Sequence, residues 1–127
     1  MDRDGDGGAS DTNLVDLTGG LTATSVGDIT QTGPLIVSGT SSLVSTTGDI
    51  VLTNRANQFG GQVTATGDDI SLTATGNLNA DFTATGVTTL NNTGNLTVTG
   101  IGVDLNVTTL GNAAVGNLTL TGNLNMN

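Results

Sequence analysis

The 127-residue sequence contains no cysteine, histidine, lysine, glutamate, tyrosine or tryptophan. Without cysteine no disulfide can stabilise the fold, and thiol chemistry is excluded. The other absences remove the usual general bases, most nucleophiles and most cationic electrophiles. Pairs of aspartates remain as an alternative acid–base chemistry. We nevertheless expect a non-enzymatic protein.

Positive charge is also scarce. Two arginines face eleven acidic residues, all of them aspartate, so the net charge is -9. Such a surface repels nucleic acid and anionic lipid. No apolar run approaches the roughly 20 residues that a membrane span needs, and the first twelve residues do not resemble an export signal. We therefore expect no nucleic-acid partner and no membrane insertion.

Aromatic residues are limited to two phenylalanines, so any core must be built from valine, isoleucine and leucine. Threonine, glycine and asparagine are abundant, a composition that favours strands separated by turns and disfavours helices. Apolar and polar residues alternate in stretches such as "ISLTATG" and "NLTVTG". No helical stripe is visible. The composition predicts an all-β fold.

Three apolar positions recur about every twenty residues, which indicates a repeat architecture. The first series is Ile29, Ile50, Ile70, Leu90 and Leu110. The second is Ile36, Phe59, Leu78, Val98 and Leu118. The third is Val44, Val63, Phe82, Val103 and Leu124.

Glycine, asparagine, aspartate and the single proline separate these positions and predict turns. Three short strands per coil of about 20 residues are typical of a parallel β-helix, in which each strand pairs with strands about 4.8 Å above and below. We predict a right-handed β-solenoid of five to six coils over residues 14–127. A β-sandwich and a disordered chain are the alternatives, but neither requires three series in phase.

The leader, residues 1–13, is rich in glycine and aspartate. Its "DRDGDG" run places Asp2, Asp4 and Asp6 as in the start of an EF-hand loop, but Asn13 stands where a bidentate glutamate belongs. We expect a flexible acidic leader, with weak Ca²⁺ binding as the alternative.

Aspartates recur at one turn position. Asp28, Asp49 and Asp69 occupy it in successive coils, and Asp68 adjoins the last. Each carboxylate can cap its own turn by accepting a backbone N–H. Alternatively, a row of carboxylates about 5 Å apart suits Ca²⁺. We expect solvated turn caps and no cofactor, and we keep inter-coil Ca²⁺ as the alternative.

Thr-x-Thr pairs also recur. The pairs Thr64/Thr66 and Thr83/Thr85 lie 19 residues apart, after Ser45/Thr47. Residues i and i+2 of a strand share a face, so these pairs predict a stacked outward grid. Threonine is an ordinary outward strand residue. The alternative is an ice-binding or ligand-binding face.

The run "NQFGGQVTATGDDISLT", residues 57–73, resembles the repeats of large bacterial surface exoproteins of the filamentous-haemagglutinin type. The resemblance extends over roughly residues 14–125. It implies a β-helical shaft secreted to the bacterial cell surface, in an adhesin-type filament, with host glycan or protein as partners. The chain shows neither the Asn-Pro-x-Gly type secretion motif nor an Arg-Gly-Asp sequence, so no receptor can be transferred.

Both ends of a β-solenoid expose unpaired backbone groups, and no capping helix is evident in the sequence. We expect copies of the chain, or adjoining repeats, to stack end to end. The sequence therefore predicts an extracellular structural β-solenoid that acts as a shaft or fibre-forming unit.

Overall fold

The computed structural model describes residues 11–12, 15–17 and 19–127, with side chains described from residue 19 onward. These residues form sixteen strands and no helix, and so no helix that could cross a membrane. The strands pair in parallel and stack as a β-solenoid whose longest sheet has six strands. The predicted fold class is confirmed.

The first three coils contain three strands each. Coil 1 has β1 (Asp11–Thr12), β2 (Val15–Leu17) and β3 (Leu21–Ser25). Coil 2 has β4 (Thr30–Gln31), β5 (Leu35–Val37) and β6 (Ser41–Ser45). Coil 3 has β7 (Ile50–Leu52), β8 (Gln58–Phe59) and β9 (Val63–Gly67).

The next three coils contain two longer strands each. Coil 4 has β10 (Ile70–Ala74) and β11 (Leu78–Ala84). Coil 5 has β12 (Val87–Asn92) and β13 (Leu96–Gly102). Coil 6 has β14 (Asp104–Thr109) and β15 (Ala113–Leu120), and β16 (Leu124–Met126) follows it. The three-strand coil is therefore confined to the first half.

The stacked strands form two long sheets and a short one. The long sheets have the orders β3-β6-β9-β11-β13-β15 and β7-β10-β12-β14-β16. The short sheet, β2-β5-β8, ends at coil 3, and β1 pairs only with β4. The short sheet ends there because the later coils use fewer residues. Successive partners at one position lie 21, 20, 18, 17 and 19 residues apart, in the series Ile29, Ile50, Ile70, Thr88, Leu105 and Leu124.

This shortening corrects the constant twenty-residue spacing. Leu90 pairs with Leu72 and not with Ile70, and Leu110, predicted to be inward, is 79% exposed. Val103 is exposed as well. In coil 2, which is not shortened, the second series is wrong by one residue: Ile36 is half-buried, and its buried neighbour Val37 pairs with Phe59.

A separate correction applies to β6, which lies in coil 2, before the coils shorten. The predicted inward residue Val44 is half-buried, whereas Leu43 and Ser45 on either side of it are buried. The inward set of β6 is therefore shifted by one residue, which reverses every side chain of the strand.

Part of the predicted leader is strand. Asp11 pairs with Thr30 and Thr12 with Gln31, so pairing begins three residues before the predicted boundary at residue 14. The rest of the leader, including the EF-hand-like aspartates, lies outside the described residues.

Inward-facing residues of successive coils stack on one another, and these stacks combine large and small side chains. Phe82 is almost completely buried, and its partners in the adjacent coils are Ala65 and Gly100. Gly100 has a φ of 154°, and a Cβ there would lie 2.6 Å from Phe82 Cδ1. The ring fits because both neighbours leave room for it.

A buried asparagine and a half-buried glutamine pair at the corner that precedes β8. Asn57 is fully buried and exchanges two 2.8 Å hydrogen bonds with the side-chain amide of Gln31 in the coil below. Its Oδ1 also accepts the N–H of Leu35, and its Nδ2 donates to the carbonyls of Leu52 and Thr73. Asn57 thus connects three coils, and both its oxygen and its amide nitrogen are hydrogen-bonded.

Replacing Gly100 with alanine tests the packing of Phe82. We expect Gly100→Ala to lower the free energy of unfolding by at least about 2 kcal/mol, because it combines overpacking with a strained φ. Gly116→Ala is the control, since the closest atom to its Cβ would be a side-chain methyl of Thr99. Urea unfolding measures both, and equal stability of the two variants would contradict the packing.

Candidate functional site

The aspartates that precede or begin the strands of the five-stranded sheet form a hydrogen-bonded series, which we call the aspartate corner. Asp28 Oδ1 accepts the N–H of Asp49 at 2.8 Å, and Asp49 Oδ1 accepts the N–H of Asp69 at 3.1 Å. Asp69 Oδ1 in turn accepts the N–H of Val87 at 2.8 Å. Each carboxylate therefore caps the next coil and not its own turn.

Val87 interrupts the series because its side chain has no acceptor. It pairs with Asp104, whose Oδ1 accepts the N–H of Asn123 at 2.7 Å. The interruption also separates the charge of Asp104 from the other three. Unit charges 4 Å apart in water repel by only about 1 kcal/mol, so the row is tolerated at the surface.

The opposite corner repeats the arrangement with neutral side chains, and we call it the asparagine corner. Asn77 Oδ1 accepts the N–H of Asn95 at 2.9 Å, and Asn95 Oδ1 accepts the N–H of Asn112 at 3.0 Å. These residues directly precede β11, β13 and β15. Both edges of the later coils are therefore joined to the next coil by side-chain oxygens.

A glycine precedes most of the donor residues at both corners. A Cβ on Gly48 would lie 2.5 Å from Asp28 Oδ1, and one on Gly94 would lie 2.5 Å from Asn77 Oδ1. Gly111 has the same relation to Asn95 Oδ1, at 2.6 Å. The glycines are needed because the accepting oxygen occupies the space where a Cβ would stand. Asp68 is the exception, preceding Asp69 without a glycine.

The structure places three of the four predicted metal residues in one row. Asp28, Asp49 and Asp69 follow one another in the aspartate corner, whereas Asp68 accepts a 2.6 Å hydrogen bond from the hydroxyl of Thr85. Within the described part of the chain, no three histidine, cysteine, aspartate or glutamate side chains group closely enough to hold a metal ion. Ca²⁺ between coils remains a proposal.

The predicted stacking of the threonine pairs is wrong by two residues. Thr64 pairs with Asp81, and Thr66 pairs with Thr83, because coil 4 is shorter than predicted. Ser45, expected to face outward, is buried and donates to the carbonyl of Gly27. The outward row through Thr66 and Thr83 continues as Thr24, Val44, Thr66, Thr83, Ile101 and Thr119.

Three of the predicted ligand residues still line one shallow groove. Thr66, Thr83 and Thr85 surround it together with Asp68, and its volume is about 190 Å³. Thr64 does not line this groove. The regular hydroxyl grid is therefore replaced by a mixed surface that contains a groove.

Comparison with known proteins finds a similarity to one repeat family in the first half of the chain. Residues 4–66 match a family model described as repeats of unknown function (DUF5649). The protein is a repeat β-solenoid. The match ends within β9, where the three-strand coils end. No curated protein and no solved structure matches the chain.

Sequence reasoning missed the coupling between coils, although a signal was present. Glycine stands directly before aspartate or asparagine in six steps of the two corners, namely at Gly27, Gly48, Gly76, Gly94, Gly111 and Gly122. An aspartate or asparagine that caps only its own turn does not need a glycine directly before it. At Gly48, Gly94, Gly111 and Gly122 a Cβ would meet the side-chain oxygen of the coil below, whereas nothing lies within 4 Å at Gly27 and Gly76, which begin the two series.

Substitution of Asn95 tests the corner hydrogen bonds. Because Asn95 is neutral, its replacement by alanine does not change the repulsion between carboxylates. We expect Asn95→Ala to lower the free energy of unfolding by about 1 kcal/mol, because the N–H of Asn112 loses its acceptor. Asn95→Asp retains an acceptor and should stay close to the parent. Asn79→Ala, at an exposed strand position, is the control. Equal stability of Asn95→Ala and Asn79→Ala in urea unfolding would argue against the coupling.

Calorimetric titration tests Ca²⁺ at the aspartate corner. If the ion bridges coils, the parent protein releases or absorbs heat on addition of Ca²⁺, and the Asp28→Asn/Asp49→Asn double variant does not. Asparagine retains the Oδ1 that caps the next coil, so the fold is preserved. Absence of heat in the parent ends the Ca²⁺ proposal.

Proposed function

We propose that the protein is a non-enzymatic shaft segment of an extracellular bacterial surface filament of the adhesin type. The observation that carries the proposal is the continuity of the stack. Strands of one coil pair with strands of the next, and side-chain oxygens at the corners add hydrogen bonds between coils. Such an arrangement sets a fixed distance per coil, which is what a spacer requires.

The chemistry of the surface agrees with this role. The sequence contains no histidine, cysteine, lysine or glutamate, and at least three of its carboxylates accept backbone N–H groups between coils. These carboxylates therefore hold coils together. The resemblance of residues 57–73 to filamentous-haemagglutinin-type repeats supports the bacterial surface location.

The binding alternative has less support from the geometry. Ice-binding or extended ligand-binding through threonine pairs would require a regular outward grid, and Val44 and Ile101 interrupt the row that contains Thr66 and Thr83. Contact with host glycan or protein would then fall to other parts of the filament, with this segment holding them away from the cell.

Adding coils tests the spacer role. Residues 87–103 form one register unit, since Val87 pairs with Asp104, so inserting copies of this unit after residue 103 adds whole coils. The chain is displayed between an outer-membrane anchor and a fluorescent reporter, and the reporter's height above the membrane is measured. Six added coils should raise the reporter by about 29 Å, at about 4.8 Å per coil.

A glycine-serine insert with the same number of residues is the control. A flexible chain grows only with the square root of its length, so the reporter's height should not increase linearly with the number of added copies and should have a broad distribution, whereas added coils should give a linear increase and a narrow distribution. Equal behaviour of the two inserts would count against a rigid shaft.

A further inference from the structure

The stack has a step where the coils with three strands give way to coils with two. The short sheet ends at β8, and coil 4 runs from β10 to β11 through residues 75–77 without a third strand. Among the described strands β8 pairs with β5 alone, so its edge towards coil 4 is open. We call this edge, together with residues 75–77, the ledge. Described coils lie on both sides of it, so the ledge belongs to the middle of the stack and to neither end.

The backbone groups of Phe59 face the ledge. Directly after β8, the N–H of Gly60 donates to the carbonyl of Val37 at 2.7 Å, towards coil 2. The carbonyl of Asn57 instead accepts the N–H of Thr75 at 2.7 Å, towards coil 4. Because successive residues of an extended chain direct their backbone groups to opposite edges, Phe59 directs its N–H and C=O towards coil 4. No described strand pairs with them there.

A groove of about 360 Å³ follows the ledge. Gln58 and Phe59 line it on the side of β8, and residues 75–77 line it on the side of coil 4. Gly76 has a φ of 89°, and a Cβ on it would meet no atom within 4 Å. There is therefore space beside this corner for a further extended chain.

The ledge adjoins a positive charge. Arg55 lines a second recess, of about 220 Å³, which meets the groove at Thr75. Arg55 is the only cationic side chain in residues 19–127. No aspartate lines the recess, and the aspartate corner lies at the opposite end of β7. Since a guanidinium pairs with a carboxylate through two parallel hydrogen bonds, the preferred partner of Arg55 is an acidic side chain.

We infer that the ledge binds an extended acidic peptide segment of another polypeptide, which adds to β8 as the third strand that coil 4 lacks. The main chain of the segment pairs with the N–H and C=O of Phe59, as in other cases of strand addition. An aspartate or glutamate of the segment pairs with Arg55. The shaft thereby holds a second polypeptide along its length, a role that goes beyond spacing and does not depend on it.

Two other occupants satisfy only part of the ledge. An acidic polysaccharide supplies carboxylates for Arg55 but no backbone groups for the open edge of β8. A second copy of the chain carries a net charge of -9, as the first does, so the two copies repel each other. A short acidic peptide meets both requirements and adds little repulsion.

Selection from a phage-displayed library of random short peptides tests the site on the full chain. We expect the enriched peptides to share one acidic residue among β-branched residues. A fluorescein-labelled enriched peptide should bind Arg55→Gln about tenfold more weakly than the parent in fluorescence anisotropy, the loss expected for one charge-assisted pair. Thr89→Gln, at an exposed position of β12 away from the ledge, is the control and should bind as the parent does.

A double-mutant cycle assigns the partner of Arg55. Replacing the shared acidic residue of the peptide with its amide should weaken binding to the parent by the same factor and should weaken binding to Arg55→Gln no further. Losses that multiply independently would contradict the pair.

N-methylation of the peptide, one residue at a time, tests strand addition without changing the protein. Each methyl group removes one backbone N–H donor. We expect weaker binding only at alternate positions, because only every second N–H of an added strand faces β8. Binding that is insensitive to methylation would overturn strand addition.

Three further results would overturn the proposal. The first is a library without enriched acidic peptides, and the second is unchanged affinity in Arg55→Gln. The third is a dimer of the parent chain in sedimentation equilibrium that Arg55→Gln dissociates, because a second copy would then occupy the ledge.

Discussion

Parallel stacking in register is the constraint on which the rest of this structure depends. Each paired residue lies directly above a residue 17 to 22 positions earlier or below one a similar distance later. A side chain must therefore be compatible with the coils on both sides. Phe82 fits only because the small residues Ala65 and Gly100 flank it in the adjacent coils. The side-chain oxygens of the two corners fit mainly because a glycine stands directly before most of the residues whose N–H groups donate to them.

Much of the architecture could be predicted from the sequence because apolar residues recur at the length of a coil. The first three coils have nearly equal lengths, so a spacing of about twenty residues aligns Ile29, Ile50 and Ile70 correctly. The later coils lose the short third strand and shorten, so the same spacing is wrong for Leu90 and Leu110. Counting residues cannot detect such a loss when valine and leucine occur on both faces of a strand.

Polar residues were harder to place for a related reason. Thr88 is fully buried in a column with Ile70 and Leu105, and its hydroxyl has no hydrogen-bond partner. Asn57 is equally buried, but its partner Gln31 lies one coil earlier. Alternation of apolar and polar residues places such side chains outside. Only the register between coils reveals which of them face inward.

The aspartates differ most between the prediction from the sequence and the structure. A row of carboxylates indicated either local turn caps or a metal site, whereas the structure makes each of them an acceptor for the following coil. Hydrogen exchange of the backbone amides measures this coupling directly. The account predicts protection comparable to that of strand amides at the exposed corner donors Asp49, Asp69, Val87, Asn95, Asn112 and Asn123. Exchange at the rate of open turns would contradict it.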